Sequence, residues 1–299
     1  MSKIQIIYLL VLSAVAIVLL ALLVVWFFIL KPVDRELAGQ AAKVINIDGN
    51  ERHYRIFNAS SGGEERPLVV LLHGFKDRAE WVGAYSGFNI LAKEESFTLL
   101  LPQGFGLSWN AEVCCGPAFQ RDMKDSKFII ELTTKIAEEY AIDNEKIYIV
   151  GFSNGGLMAQ KIISEEPKIF SAAAVLMSGA GSELAILDIS GATAPIMLIN
   201  GDSDKYIALR EDVEVEEAFS LTSVEETIGM WTKHYGAELT STRKSGVYRE
   251  QVYKNGEEVK VLHRLYFNQG HRWPQRRLWS FDYRVPGSTT DIWEFLDSF

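Results

Sequence analysis

The sequence predicts an α/β fold: a mostly parallel central sheet with helices on both faces, preceded by one N-terminal transmembrane helix. Three observations predict it. Runs that are apolar at nearly every position recur at Pro67-Leu-Val-Val-Leu-Leu72, Phe97-Thr-Leu-Leu-Leu101, Ile147-Tyr-Ile-Val150, Ala172-Ala-Ala-Val-Leu176 and Ile196-Met-Leu-Ile199. A strand apolar on both sides is buried on both sides, as in a parallel sheet covered by helices. Helical patterns lie between these runs, at Ser126 to Tyr140, Asn154 to Ser164 and Val224 to Tyr235, and alternation of strand with helix is the signature of such a sheet. Finally, Ile4 to Leu30 carries no charge and exceeds the ~20 residues a helix needs to cross a ~30 Å hydrocarbon core.

In chain order, residues 1–31 are expected to be the membrane anchor, with a long signal sequence as the alternative. The apolar region of a cleaved signal is usually only ~7–15 residues and is closely followed by small residues. Here the nearest small pair, Gly39 and Ala41, lies beyond Lys31, Asp34, Arg35 and Glu36. Lys3 on one side is nearly balanced by Lys31 and Arg35 on the other, so the positive-inside rule leaves orientation open. Residues 32–43 read as a polar tether and residues 44–299 as a single globular domain.

That domain opens with two alternating segments, Lys43 to Asp48 and His53 to Phe57, around Gly49-Asn50, which predicts a β-hairpin. The buried strands and helices named above follow. Val261 to Phe267 alternates as a further strand, and Thr290 to Leu296 is an amphipathic helix that closes the chain.

A net charge of −9, with no basic stripe, excludes a nucleic-acid footprint. The two cysteines, Cys114 and Cys115, are adjacent, so they cannot staple distant segments; a vicinal disulfide, free thiols and a redox pair all remain open. No Cys-x-x-Cys pair is present, and no metal site is expected.

The motif that carries chemistry is Gly151-Phe-Ser-Asn-Gly155, with the buried strand ending at Val150 before it and the helix from Asn154 after it. G-x-S-x-G between strand and helix is a nucleophile elbow, as in α/β-hydrolases. The turn is so tight that side chains at 151 and 155 would collide with neighbouring elements, while Ser153 is left exposed. The new helix brings its N-terminal amides to the place where an oxyanion would form. Asn154 N–H is the first expected donor. Phe75 N–H, after Leu71-Leu-His-Gly74, is the second, with Lys76 as its fallback.

Elimination finds the partners. In this chain order the carboxylate and histidine follow the serine, and only His234, His263 and His271 do so. His234 falls in a helical pattern and His263 in a strand. His271 falls in the loop Asn268-Gln-Gly-His-Arg-Trp-Pro274, where a base can reach across. The turn Asn200-Gly-Asp-Ser-Asp-Lys205 supplies the carboxylate; spacing alone leaves Asp202 and Asp204 open, with Asp188 and Asp212 as outsiders. His73 precedes the serine and reads as structural.

With these residues placed, the sequence resembles the polyhydroxybutyrate depolymerase and feruloyl esterase group of carbohydrate-esterase-like α/β-hydrolases over most of residues 44–299. The likeness rests on Leu71-Leu-His-Gly74, Trp109-Asn110, Cys114-Cys-Gly116, Asp122 and Asp125, the elbow, Gly201-x-x-Asp204, Gly270-His-x-Trp-Pro274 and Asp291-Ile-Trp-Glu-Phe295. The group's pattern His-Gly-x-x-Asp falls on Asn200 to Asp204 and selects Asp204. Asn200 replaces its histidine, and Gln275-Arg-Arg277 stands where members often have glycine after Trp-Pro. The resemblance also implies that the Trp109-Asn110 and Cys114-Cys115 region lies near the active-site wall and makes Trp109 a candidate substrate contact, although a tryptophan beside two cysteines more often packs in a core; Trp273 is a candidate by its place beside the base.

These residues together predict a serine esterase with the triad Ser153, His271 and Asp204, acting on small or polymeric carboxylic esters of feruloyl, acetyl-polysaccharide or hydroxyalkanoate type. No cofactor is called for, and the oligomeric state stays open. A serine peptidase of the same fold and a non-catalytic anchored binding protein are the alternatives. The expected location is the membrane, with the domain on the extracytoplasmic side, or secretion after cleavage.

Overall fold

The computed structural model describes residues 5, 13–20, 41–181, 186–211, 221–274, 285 and 287–299. Two compact units are present, Met1–Ala41 and Ala42–Phe299. In the first, Gln5 and residues 13–20 are helical and exposed. Among the described residues no helix is long and apolar enough to cross a membrane. Most of the expected span at 4–30 lies outside the described residues, as does much of the 32–43 tether.

The second unit is built on a ten-stranded sheet of order β1-β2-β4-β3-β5-β6-β7-β10-β9-β8. Its central strands are β3 (Arg66–Leu72), β4 (Thr98–Pro102), β5 (Ile142–Phe152), β6 (Ala172–Leu176) and β7 (Ile196–Gly201). They pair in parallel, and β10 (Glu258–Tyr266) joins β7 in the same sense. Every residue of β4, β6 and β7 is buried, which is the physical meaning of their unbroken apolar runs. The expected hairpin forms as β1 (Lys43–Ile47) and β2 (Asn50–Phe57), and β2 returns antiparallel to β4.

Two strands escaped the sequence reading. β8 (Glu238–Lys244) is exposed at every residue and β9 (Tyr248–Asn255) is at most half-buried. They extend the sheet antiparallel beyond β10, at an edge where no apolar face is needed and no pattern marks them. Three short helices were also unread: α1 (Ala79–Tyr85), α2 (Phe88–Glu94) and α3 (Gly116–Gln120).

The longer helices follow their patterns: α4 (Asp125–Glu139), α5 (Asn154–Glu165), α6 (Val224–Tyr235) and α7 (Gly287–Leu296). α6 has both stop signals. Ser223 and Glu226 form a capping box, and Gly236 ends the helix in the left-handed conformation, together satisfying amides and carbonyls that a helix leaves unpaired at its ends. α4 is fastened by a buried ion pair, Arg52 Nη2 to Asp125 Oδ1 at 2.6 Å.

Candidate active site

The site grows from the C-terminal end of β5. Ser153 follows that strand at φ 54°, ψ −119°, a conformation that costs a non-glycine residue energy and persists only where the surroundings impose it. Its N–H donates to Leu176 O on β6 at 2.8 Å. The expected crowding at the flanking glycines is present. A Cβ at Gly151 would lie 2.2 Å from Gly155 O, and one at Gly155 would lie 2.5 Å from His73 O and 2.6 Å from Leu72 O. Backbone meets backbone there, so no side-chain adjustment can make room.

Two loops, both at the same edge, complete the arrangement. Asp204 follows β7 and His271 follows β10, and these strands are parallel neighbours. The loops are tied together, since Asp202 N–H donates to Tyr266 O and Ser203 N–H to Gln269 O, each at 3.0 Å. His271 Nδ1–H donates to Asp204 Oδ2 at 2.8 Å, and His271 Nε2 accepts from Ser153 Oγ at 2.9 Å. The other Asp204 oxygen accepts the N–H groups of Tyr206 at 2.8 Å and Ile207 at 3.1 Å, so the carboxylate is fixed from both sides. The imidazole lies between the rings of Tyr206 and Phe152, at 4.9 and 5.4 Å between centroids.

The other candidate carboxylates and histidines are elsewhere. Asp202 is exposed and accepts from Ser203 Oγ; Asp188 is exposed and accepts from Ser190 N–H; Asp212 lies outside the described residues. His234 Nε2–H donates to Ala192 O. His263 is buried in β10, and among the described residues neither of its ring nitrogens has a partner.

His73 has the structural role expected of it. Its Nδ1–H donates to Gly74 O at 2.7 Å, which leaves Nε2 to accept Gly104 N–H at 2.9 Å. Burial pushes its imidazole down to about 4, so it is a neutral clamp on the loop that carries Phe75. Lys76 N–H donates to Leu107 O at 2.8 Å and is already committed, and Phe75, the first candidate on that loop, lines the cavity beside Ser153. Asn154 opens α5, and first-turn amides have no carbonyl within their own helix.

Ser153, His271, Phe75 and Asn154 all border one open cavity of about 210 Å³, below the range of drug-sized pockets and suited to a compact group. Its walls come from Lys76, Cys114, Cys115, Leu157, Tyr206, Ile207 and Leu221. These walls correct the sequence reading, since neither tryptophan lines the cavity. Trp109 is fully buried, with its indole N–H donating to His73 O. Trp273 turns inward, packing on Phe88 and donating to Thr289 Oγ1. Cysteine side chains, not indoles, occupy the wall, and Cys114 and Cys115 are joined as a vicinal disulfide. Position 275–277 of the expected rim lies outside the described residues. Among the described residues no cluster of three or more His, Cys, Asp or Glu could hold a metal ion.

The family model described as the prolyl oligopeptidase family matches residues 117–181, a stretch that contains the elbow. A protein of Nocardia uniformis subsp. tsuyamanensis named as an esterase, NocK, is 30% identical over 183 residues, 58% of this chain and 52% of that one. Poly(3-hydroxyalkanoate) depolymerase C of Paucimonas lemoignei is 26% identical over 144 residues, 46% of this chain and 34% of that one. The match thus spans about half the length of the first relative and about a third of the second. Among solved structures, acetyl xylan esterase from Aspergillus awamori superposes with a TM-score of 0.63 at 14% identity, covering 86% of this chain and 99% of that one. At that identity the likeness is one of fold. The chain has the α/β-hydrolase fold, and its likenesses lie with the esterase-like members of that fold.

Proposed function

We propose that the chain is a serine esterase that hydrolyses carboxylic esters through an acyl-enzyme, with Ser153 as nucleophile, His271 as base and Asp204 as the carboxylate that orients it. The observation that carries this reading is the hydrogen-bonded line from Asp204 through His271 to Ser153, with contacts of 2.8 and 2.9 Å, at the border of an apolar cavity. With Nδ1–H held by Asp204, Nε2 faces the serine hydroxyl. As Oγ attacks the ester carbonyl carbon, Nε2 takes its proton, and the charge on the carbonyl oxygen falls to the amides of Asn154 and Phe75. The imidazolium then protonates the departing alkoxide. Water, deprotonated by the same nitrogen, attacks the acyl carbon, and Ser153 recovers its proton as the carboxylic acid leaves.

The substrate class proposed is esters of aromatic or acetyl groups on polysaccharide, or of hydroxyalkanoate oligomers. The names of the Aspergillus esterase and the Paucimonas depolymerase support the acetyl and hydroxyalkanoate parts of this range, and the mostly apolar walls suit a compact acyl group. The uncharged run from Ile4 to Leu30 supports attachment to a membrane; residues 44–299 are proposed to lie on the extracytoplasmic side, with secretion after cleavage as the alternative. Fractionation and protease accessibility of the domain in intact cells test that placement.

The prolyl oligopeptidase match over 117–181 favours one rival, a serine peptidase of the same fold. Paired substrates with one acyl group, as ester and as anilide, separate the two. Labelling of Ser153 by a fluorophosphonate with turnover of the ester alone supports the esterase; cleavage of the anilide at a comparable rate supports the peptidase.

A further inference from the structure

Two cysteines line the same cavity as Ser153. Cys114 and Cys115 form a disulfide between adjacent residues, and both line that cavity. Such a bond closes almost no loop and so constrains the unfolded chain very little. Stapling the fold is therefore not its role, and its place in the cavity is what needs explaining.

The segment that bears it is fastened to both proposed oxyanion residues. Asn154 Oδ1 accepts Trp109 N–H at 2.7 Å, and its Nδ2 donates to Trp109 O at 3.1 Å and to Cys114 O at 3.4 Å. On the other side, Gly116 lies so close to Phe75 that a Cβ there would be 2.6 Å from its ring. The base of the segment is held by Asn110, whose N–H donates to the buried Asp125 at 2.8 Å. The disulfide segment is thus hydrogen-bonded to the Asn154 side chain and packed against the Phe75 ring, and these are the two residues whose backbone amides are the proposed oxyanion donors.

We propose that the Cys114–Cys115 disulfide is a specificity-determining wall of the ester cavity, and that its reduction changes which acyl groups are accepted. The inference rests on the esterase reading of the site. The bridged pair has no S–H donor and presents a polarisable apolar surface of the kind that packs favourably against aromatic groups. A dithiol reduces it by supplying two electrons and two protons: the S–S bond breaks, two thiols form, and the reagent becomes a cyclic disulfide. Two independent side chains, each with its own rotamers and a weak donor, then replace one fixed surface. An aromatic acyl group that reaches this wall feels the change, whereas an acetyl group too short to reach it does not.

The test uses the full-length chain with p-nitrophenyl acetate and p-nitrophenyl cinnamate. Three forms are compared: as isolated, reduced with dithiothreitol, and as the Cys114→Ala/Cys115→Ala variant. Thiol titration establishes the redox state, and the fluorophosphonate labelling rate reports an intact Ser153. The expected result is no titratable thiol before reduction, two after it, and a shift of about tenfold or more in the ratio of cinnamate to acetate kcat/KM in both altered forms, the scale of apolar pocket discrimination. Free thiols in the isolated protein, or an unchanged ratio with reduction established, would overturn the proposal while leaving the esterase standing. No turnover of either ester by any form would overturn the esterase reading and this inference with it.

Discussion

His271 Nε2 lies 2.9 Å from Ser153 Oγ, although 118 positions separate the two residues in the chain. Two loops from parallel neighbouring strands carry Asp204 and His271, and the elbow carries the serine. The same imidazole reaches Asp204 through its other nitrogen at 2.8 Å.

Asp204 and Asp202 differ sharply. The Asp204 side chain is 2% exposed and meets His271, whereas Asp202 points to solvent and holds only its neighbour Ser203. Asp204→Asn is expected to lower kcat by about 10⁴-fold by disturbing the imidazole tautomer, the scale known for that change in other triads. Asp202→Asn is expected to change it by no more than a few-fold. Steady-state kinetics on a short-chain ester decides; equal losses would remove Asp204 from its role.

The elbow predicts a coupled loss of stability and rate. In Gly155→Ala the added methyl meets His73 O and Leu72 O at 2.5 and 2.6 Å, so α5 must move from β3. Overpacking of this kind typically costs about 1–3 kcal/mol. The displaced strand end leads to Phe75, so kcat is expected to fall together with Tm. Unchanged melting and kinetics would show that the turn has slack that the glycines do not reveal.

Acid stability follows from two buried histidines. Burial pushes His73 down to about 4 and, helped by the charge of Arg249, His263 down to about 3. The unfolded chain takes up these protons near pH ~6.5. Between those values the unfolded state binds more protons than the folded one, so stability is full above ~6.5 and falls as the pH drops. The two groups each contribute on the order of 3 kcal/mol to that loss. His263→Leu removes one of them along with two unpartnered ring nitrogens, which cost about 1–3 kcal/mol when buried. Urea denaturation from pH 7 to 4 is expected to show a more stable variant with a shallower acid slope; a destabilised variant with the same slope would contradict this.

Much of this was legible in the sequence, for physical reasons that also explain the misses. The strands β3 to β7 are covered on both faces, so burial wrote itself into continuous apolar runs. β8 has no covered face at all, and its pairing is a backbone matter that side chains do not record. The elbow was readable because backbone collisions at Gly151 and Gly155 leave glycine no substitute. Asp202 and Asp204 share one turn, so spacing alone leaves them open and only the resemblance chooses Asp204; in the structure it is the Asp204 side chain that meets His271. Trp273 misled for the same reason: two residues from the base in sequence, its indole points to Thr289 and the core. The resemblance places the Cys114-Cys115 region near the active-site wall, but nothing local shows that the pair is bridged or that Asn154 and Phe75 meet that segment at the cavity.

The most direct test of the central claim is hydrolysis of short-chain p-nitrophenyl esters by the full-length chain, wild type beside Ser153→Ala. The account predicts saturable turnover by the wild type and a loss of ~10⁴-fold or more in the variant, the scale for removing a triad nucleophile, with both proteins melting alike. Turnover largely retained by Ser153→Ala would contradict it.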